Sequence, residues 1–377
     1  DKRRDKKIGT NKMKLLIITQ KVDINDDVLG FFHGWIKEFA KHCEKITVIC
    51  LQKGEYSLPS NVKVFSLGKE QQLRGRTDLG NFKRSVLEEQ WLKIKYALNF
   101  YKYIWQERKN YDAVLVHMNQ EYVLLGGIFW KLFSKKIYMW RNHHSGYFLT
   151  DIAALFCIKV FCTSKFSFTA KYKKTILMPV GVDTNKFIKL ENPKVNKMKN
   201  SLLFLGRISP SKNVHLFIEA LGILKNKGVN FTANIYGDAL PEDISYLEKI
   251  KSLACDFDLG GILKFNGAVP NYQTPEIYNT HAIFINSSPS GMYDKTIFEA
   301  MACEILTLTS NRNLIGNIDD MFLFKEDDEE DLARRLAHLL DLPFEGKEEL
   351  GRRFRAFVVS QHNLTILGNK LIKCLAL

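Results

Sequence analysis

The sequence predicts an α/β protein made of two doubly wound, Rossmann-like parallel-sheet domains that face each other across a cleft. Short apolar segments alternate with amphipathic helical segments, which is typical of parallel sheets. The alternation stops at a polar stretch rich in Lys and Asn and then restarts. The 377 residues exceed twice the length of a typical domain, so the length also favours two domains.

In the first half, each short apolar run bounded by a polar turn predicts a buried parallel strand. Helices are predicted where apolar residues recur on one face. The predicted strands are 14–19, 46–51, 62–66, 113–117, 136–140, 160–163 and 175–179, with helices at 29–41 and 86–108.

The same pattern restarts in the second half and ends in helices. The predicted strands are 202–205, 231–236, 263–265, 282–285 and 305–308, and the predicted helices are 213–225, 241–253, 275–279, 295–302, 329–340, 347–360 and 364–374. We expect a tag-like or upstream segment at 1–12, because Met13 suits a natural start. The further expected units are a first domain at 13–180, a linker at 181–200, a second domain at 201–350, and terminal helices at 351–377 that pack back on the first domain.

Charge is uneven along the chain. Residues 1–190 carry 34 Lys+Arg and 17 Asp+Glu, a net charge of +17, whereas residues 191–377 carry 21 and 24, a net charge of −3. The first half therefore suits an anionic membrane surface or a phosphorylated substrate, or it is a solvated basic face without a partner. We expect no nucleic-acid partner, because the basic residues are dispersed and no DNA- or RNA-binding motif is present.

The length of the apolar runs and the spacing of the cysteines bear on where in the cell the protein is located. The longest runs, 122–130 and 152–158, fall short of the roughly 20 residues that cross a bilayer, and no signal peptide is expected. Seven cysteines show no C-x-x-C spacing, which favours reduced thiols. We expect a cytoplasmic protein, peripheral at the inner face of a membrane.

Candidate binding residues follow the predicted strands of the second half. Gly206, Arg207 and Lys212 follow strand 202–205, and two cations in a loop before a helix suit a diphosphate, although a solvated turn fits equally well. The other candidates are Gly237 and Asp238 in a glycine turn, Ser290 and Gly291 as backbone donors to an anion, Lys295 as a further cation, and Glu299 as an acceptor for a ribose diol.

Further candidates follow strands of the first half. His117 ends a strand, where it either orients a substrate or is a satisfied histidine under a loop. Arg141, Asn142 and His143 follow the next strand and suit acceptor contacts. No spacing of His, Cys, Asp or Glu predicts a metal site, and no cofactor is expected.

Together these segments resemble glycosyltransferase family 4, whose members have the GT-B fold. The likeness spans nearly all of 13–377 and is strongest over 179–310. It is carried by the loop 206–212, the turn 236–238 and the segments 179–187, 265–269 and 288–303.

The resemblance implies a retaining, metal-independent, hexosyltransferase-type enzyme. It would move a sugar from a UDP- or GDP-sugar to a glycan or lipid-linked acceptor. Arg207 and Lys212 match the residues that contact the donor diphosphate, Glu299 the carboxylate that holds the ribose, and His117 the histidine near the donor sugar. The resemblance places Asp26, Asp27 and Gly30 in the loop on the acceptor side.

One position departs from the family pattern. The family often has two glutamates eight residues apart, and the first falls on Gly291 here. A subset has Ser-Gly-x-x-Asp-Lys instead, which this chain follows, so Asp294 is a candidate for the sugar contact. The missing glutamate leaves a second function open, a nucleotide-sugar-binding protein without turnover. A dinucleotide dehydrogenase is disfavoured, because no G-x-G-x-x-G follows the first strand.

Overall fold

The structure is a computed structural model that describes residues 13–71, 86–191, 198 and 200–376. Within them, two parallel sheets form two Rossmann-like α/β domains, as the sequence predicts. The predicted segment 1–12 lies outside the described residues. The first sheet has the strand order β3-β2-β1-β4-β5-β6-β7 and the second β10-β9-β8-β11-β12. In both sheets the order reverses beside the first strand of the domain, which is where doubly wound sheets bind ligands.

The first domain contains seven strands and four helices in its described part. Its strands are β1 (Lys14–Val22), β2 (Lys45–Lys53), β3 (Val62–Ser66), β4 (Ala113–His117), β5 (Lys136–Trp140), β6 (Lys159–Cys162) and β7 (Thr175–Leu177). Its helices are α1 (Gly30–Ala40), α2 (Val86–Gln106), α3 (Gln120–Leu132) and α4 (Phe148–Phe156).

The second domain repeats the arrangement with five strands. They are β8 (Ser201–Leu205), β9 (Thr232–Tyr236), β10 (Leu263–Phe265), β11 (Ile283–Asn286) and β12 (Leu306–Thr309). The helices are α5 (Val214–Asn226), α6 (Ile244–Asp256), α7 (Thr274–Asn279), α8 (Lys295–Ala302), α9 (Glu329–Asp341), α10 (Phe344–Gln361) and α11 (Leu364–Ala376).

Helices α3 and α4 are absent from the predicted elements. They lie within apolar runs in which periodicity is weak, so that a buried strand and a helix look alike. The predicted helix at 241–253 also differs, because Pro241–Asp243 forms a short 3-10 turn before α6 begins.

The first sheet is covered on both faces. One face packs under α1 and α11, with Phe32, Phe39 and Leu371 fully buried. The opposite face packs under α2, α3 and α4, with Phe100 and Trp130 buried. Since helices cover both faces, the strands are apolar along their length rather than alternating.

The end of the chain joins the two domains. Helix α10 packs against α8 in the second domain, whereas α11 packs against α1 in the first. Leu367, Leu371 and Leu375 of α11 are buried in the first domain's core. The hydroxyl of Tyr138 in β5 donates a hydrogen bond to the carbonyl of Leu375, at 3.1 Å. Residues near the C-terminus therefore complete the N-terminal domain.

The outer face of the first domain is unusual. Helix α2 presents aromatic and aliphatic side chains to solvent, among them Trp91, Leu98 and Trp105. Helices α3 and α4 do the same with Leu132 and Leu155. Within the described ranges, every helix is too short or too polar to cross a bilayer.

Candidate active site

A cavity of about 390 Å³ lies between the carboxyl edges of the two sheets. Its wall includes His117 and Trp140 from the first domain and Arg207, Lys212 and Glu299 from the second. Five residues that are far apart in the sequence thus meet at one cleft, because both parallel sheets direct their strand ends toward it.

His117 is the last residue of β4 and is almost completely buried. Its Nδ1 lies 3.2 Å from the Thr19 hydroxyl of β1, and its ring stacks on Phe32 with a centroid distance of 4.0 Å. Burial, together with the nearby charge of Lys295, lowers the pKa of His117 to about 3. The imidazole is therefore neutral at physiological pH and can donate or accept a hydrogen bond but does not supply a charge.

Lys295 is the first residue of α8 and lies against aromatic side chains of α1. Its ammonium donates hydrogen bonds to the carbonyls of Val180 and Gly181, at 2.9 and 2.8 Å. It also lies over the rings of Phe31 and Trp35, 4.5 and 4.6 Å from their centroids. Burial lowers the pKa of Lys295 to about 7, although the negative charge of Glu299 acts in the opposite direction. Lys295 was predicted to contact an anion, but its ammonium already binds the segment that joins the two domains.

Arg207 follows β8 and lines the cavity. Its Nε is buried and has no hydrogen-bond partner within the described part of the chain. Leaving a buried charged donor without an acceptor is costly. A ligand with anionic oxygens would satisfy this donor, which is the chemistry predicted for Arg207.

Lys212 forms an ion pair with Asp294. Its Nζ lies 2.5 Å from Oδ2 of Asp294, and the same oxygen accepts hydrogen bonds from Ser288 and Asn286. Burial raises the pKa of Asp294, but Lys212 and these two donors outweigh it and lower the pKa overall. The predicted sugar contact of Asp294 therefore competes with a strong partner inside the protein.

Glu299 lies one turn inside α8 and is buried. Its two carboxylate oxygens accept hydrogen bonds from Asn271 Nδ2 at 3.2 Å and from the Tyr278 hydroxyl at 3.3 Å. Lys186 donates to the other end of the Asn271 side chain, at 2.7 Å. Burial raises the pKa of Glu299, while Lys295 and Lys186 oppose the rise. Glu299 lines the cavity, and these hydrogen bonds hold its carboxylate in place.

Two predicted donor contacts must be corrected. The Ser290 N–H, which was expected to be free for an anion, donates to Oε1 of Glu326 at 2.9 Å. Gly291 packs against His144 of the first domain, where an added Cβ would lie 2.2 Å from the histidine Cβ. Neither residue lines the cavity. The loop instead holds the two domains together, because the Ser164 hydroxyl also donates to the Ser290 carbonyl, at 2.7 Å.

The glycine turn after β9 also differs from expectation. Gly237 has a φ of +147°, and an added Cβ would meet the Gly206 carbonyl at 1.9 Å. Its close approach is thus to the neighbouring loop and not to the cavity. Asp238 accepts a hydrogen bond from the Ala268 N–H at 3.0 Å and lines a second cavity beside the cleft, as does Arg207. Gly206 lines the main cavity.

The residues predicted on the acceptor side lie around the turn after β1. Asp26 accepts hydrogen bonds from two N–H groups of the turn and pairs with Lys21, at 2.6 Å. Asp27 lines both the main and the second cavity. Gly30 begins α1 and lines a third, smaller cavity that also touches Glu299. The turn is therefore at the cleft, and Asp26 shapes it.

Some residues of the loop after β5 line the cleft, whereas others make contacts only within the loop. Asn142 and His143 line the main cavity. Arg141 does not, because its guanidinium donates to the Ser145 carbonyl at 2.8 Å. The predicted acceptor contact of Arg141 is thus replaced by a contact within the loop.

Sequence reasoning missed several residues of the site. Phe31 and Trp35 of α1 line the cavity but were not predicted as site residues, since helical spacing cannot separate a core face from a cleft wall. Asn271 had a usable signal, because it follows β10 beside a proline, in a loop at the carboxyl edge of the sheet. Among the described residues, no three His, Cys, Asp or Glu side chains cluster as a metal site would require.

Part of the chain matches a known protein family. Residues 185–357 match the protein family described as glycosyl transferases group 1. A putative colanic acid biosynthesis glycosyltransferase of Salmonella typhimurium, WcaL, is 23% identical over 213 residues, 54% of this chain and 51% of the relative. The alpha-1,4-N-acetyl-D-galactosaminyltransferase of Campylobacter jejuni, named for a PP-undecaprenol substrate, is 29% identical over 150 residues, 38% of this chain and 39% of the relative. The chain spans about half or less of the length of these curated relatives.

Solved structures match over nearly the whole chain. HepE of Anabaena, solved with UDP and glucose, has a TM-score of 0.74 at 16% identity and covers 97% of this chain and 99% of its own. A sucrose-phosphate synthase from Thermosynechococcus elongatus has a TM-score of 0.73 at 14% identity, covering 95% and 98%. The predicted GT-B fold is confirmed.

Proposed function

We propose that this chain, in which residues 185–357 match the group 1 glycosyl transferases and the two domains form a GT-B fold, is a glycosyltransferase that uses a nucleotide-sugar donor. The observation that carries the proposal is the cleft itself. It brings three features to one cavity: the Nε of Arg207, which has no partner among the described residues, the Lys212–Asp294 pair, and the neutral His117. This set of groups suits an anionic diphosphate at one end and an uncharged sugar at the other.

In the proposed donor complex, Arg207 and Lys212 contact the diphosphate. Charge-assisted hydrogen bonds to phosphate oxygens are short and strong. As the bond between the sugar and the diphosphate breaks, negative charge grows on the leaving oxygen, and fixed cations stabilise it. Lys212 would turn from Asp294 toward the phosphate or bridge both groups. Glu299 would accept hydrogen bonds from the ribose hydroxyls of a UDP- or GDP-sugar.

His117 acts on the sugar in this proposal. A neutral imidazole held by Thr19 and stacked on Phe32 can hydrogen-bond a sugar hydroxyl without repelling the positive charge that develops on the ring carbon. Its depressed pKa serves this role, because a protonated histidine would oppose an oxocarbenium-like transition state. His117 is therefore assigned to the transfer step and not to diphosphate binding.

We further propose retention of configuration and independence from divalent metal. Both follow from the resemblance to glycosyltransferase family 4. Arg207 and Lys212 can supply the stabilising charge that a metal supplies elsewhere. The departing phosphate oxygen would take the proton of the acceptor hydroxyl on the same face of the sugar. The acceptor would be a glycan or a lipid-linked saccharide, bound near Asp27 and His143.

Turnover of candidate donors tests the proposal. The protein is incubated with UDP- and GDP-sugars and lipid-linked or oligosaccharide acceptors, with EDTA present, and release of nucleoside diphosphate and product configuration are followed by NMR. We expect transfer with retention, undiminished by EDTA. His117→Ala should lower the transfer rate and leave nucleoside diphosphate affinity unchanged.

The alternative of a donor-binding protein without turnover rests on Gly291. Gly291 has no carboxylate and packs against His144. Tight donor binding without transfer or hydrolysis on any acceptor would favour this alternative. Activity that EDTA abolishes and magnesium restores would contradict metal independence.

A further inference from the structure

Helix α2 carries an apolar stripe that faces solvent. Six exposed apolar residues recur at intervals of four or three along the helix, which places them on one face. They are Leu87, Trp91, Ile94, Leu98, Tyr101 and Trp105. A stripe at this spacing normally packs inward. Here the core contact is made by other residues of the helix, Phe100 and Ile104, so α2 has two apolar faces and one is uncovered within the described structure.

The stripe continues onto the next two helices. The Tyr101 hydroxyl of α2 donates to the Leu125 carbonyl of α3 at 2.9 Å, and the ring of Trp105 contacts that of Phe133. Gly127 of α3 lets the ring of Phe156 in α4 approach closely. The exposed apolar side chains of these two helices are Leu125, Ile128 and Leu132 in α3, and Phe148, Leu149 and Leu155 in α4. With the six residues of α2, they form what we call the outer apolar face.

This face is too apolar for ordinary water-exposed surface. Trp91 is 70% exposed, Leu132 78% and Leu155 77%. Single exposed apolar residues are common on proteins, but a layer of three helices with twelve of them marks an interaction surface.

The charge around the face indicates the occupant. Residues 86–174 carry fourteen Lys+Arg and six Asp+Glu, a net charge of +8. Two exposed lysines of α2, Lys95 and Lys102, lie next to the stripe, four residues after Trp91 and one residue after Tyr101. Arg108 stacks on Trp105, with its guanidinium 4.1 Å from the ring centroid. Trp, Leu and Lys on one surface suit a boundary where apolar chains adjoin anionic headgroups.

We propose that the outer apolar face docks on an anionic lipid bilayer, with its aromatic and aliphatic side chains among the headgroups and acyl chains. Phe148 at the start of α4 lies five residues after His143, which lines the cleft. If the proposed function holds, a lipid-linked acceptor would reach the cleft from the bilayer. The docking itself does not depend on turnover.

Flotation with lipid vesicles tests the docking without any substrate. The whole protein is mixed with vesicles of phosphatidylcholine, with or without phosphatidylglycerol, at low and high salt. We expect recovery with the anionic vesicles and a marked loss at high salt, because headgroup attraction is screened. Equal recovery with both lipids, or no recovery with either, would overturn the proposal.

Matched variants distinguish vesicle binding by the outer apolar face from nonspecific binding by exposed apolar residues elsewhere. Leu98→Ser, Ile128→Ser and Leu132→Ser together remove three exposed side chains of the face, and we expect at least about a tenfold loss of vesicle affinity. The control carries Ile244→Ser, Ile315→Ser and Phe344→Ser, which are exposed in the second domain. It should bind like the unchanged protein. Equal losses in both triple variants would overturn the proposal.

Two further measurements distinguish the other occupants. Replacing Lys95 and Lys102 by Gln should reduce recovery on anionic vesicles. The oligomeric state is then measured without lipid. A dimer that the Leu98, Ile128 and Leu132 variant abolishes would identify a second copy of the chain as the occupant and contradict the bilayer. The melting temperature of each variant confirms that it is folded.

Discussion

His117, Lys212 and Glu299 are each held by partners inside the protein, whereas the Nε of Arg207 has none among the described residues. A ligand therefore meets residues of two kinds. Arg207 gains a bond on binding and loses none. Lys212 must share or give up its bond with Asp294. This difference predicts which substitutions at these positions lower the stability of the protein and which lower ligand affinity.

The Lys212–Asp294 pair should show this division. Lys212→Met leaves a largely buried carboxylate without its cation, which should cost about 1–3 kcal/mol of unfolding free energy. It should also weaken nucleoside diphosphate binding. Adding Asp294→Asn should restore most of the stability, because the unpaired charge is gone, but not the affinity. Urea unfolding and calorimetric titration of the three variants check this. Recovery of both properties in the double variant would show that Lys212 serves only the fold.

Burial of His117 predicts a pH dependence of stability. The pKa of His117 is about 3 in the folded protein and about 6.5 in the unfolded chain. Between these values the unfolded chain binds more protons, so the contribution of His117 to stability is present above the unfolded pKa and is lost as the pH falls. The slope from this residue is about 1.4 kcal/mol per pH unit.

Urea unfolding at several pH values from neutral to mildly acidic checks the slope. His117→Gln should be less sensitive to pH than the unchanged protein over this range, while His362 and the other buried histidines act equally in both. Parallel curves for the two proteins would mean that His117 is accessible to protons in the folded state.

At the scale of elements, loops after strands carry both the site and the contact between domains. The loop after β11 runs from Ser287 to Asp294, just before α8. Its end supplies Asp294 to the cavity, while its middle contacts the first domain through Ser290 and Gly291. One loop therefore carries both a residue of the cavity and a contact between the two domains.

Gly291→Ala should loosen that contact. Its Cβ would lie 2.2 Å from the His144 Cβ, so the loop at 141–146 or the domains must move apart. Overpacking typically costs about 1–3 kcal/mol. We expect hydrogen exchange at 288–291 to speed up by roughly tenfold or more. Gly260→Ala is the control, because no atom lies within 4 Å of its added Cβ. Unchanged exchange in Gly291→Ala would contradict the contact.

At the scale of the whole molecule, the last described helix returns to the first domain. Helix α11 fills the first domain's core with Leu367, Leu371 and Leu375, after α10 has packed on the second domain. The chain passes between the domains twice, near residue 181 and near residue 362. At this point the N–H groups of Gly181 and Val182 both donate to the His362 carbonyl, at 2.9 Å. The first domain is therefore incomplete without the last helix.

Leu371→Ala tests this dependence. Removing a fully buried leucine side chain typically costs about 2–5 kcal/mol. The loss should appear in the first domain, as faster hydrogen exchange in β1 and α1. Val359→Ala in α10, where the side chain is partly exposed, should change stability by less than about 0.5 kcal/mol. Exchange that speeds up only in the second domain would contradict the packing.

The sequence predicted strands better than contacts. Short apolar runs located all twelve strands of the described residues to within a few positions, because parallel strands between two helical layers are apolar throughout. Strand ends also predicted the positions of His117 and Arg207, which line the cavity. The pattern could not show that the Ser290 N–H bonds Glu326 or that Lys212 pairs with Asp294. These contacts join distant loops, and no local rule specifies them.

Calorimetric titration of UDP and GDP in the presence of EDTA tests the central claim most directly. The claim is that the cleft binds a nucleoside diphosphate through Arg207 without a metal. We expect binding by the unchanged protein, and a tenfold to hundredfold loss in Arg207→Ala, since one charge-assisted contact is worth about 1.5–3 kcal/mol. Arg352→Ala, an exposed arginine of α10 paired with Glu349, should bind normally. Failure of both nucleotides to bind, or equal affinity of Arg207→Ala and the unchanged protein, would contradict the account.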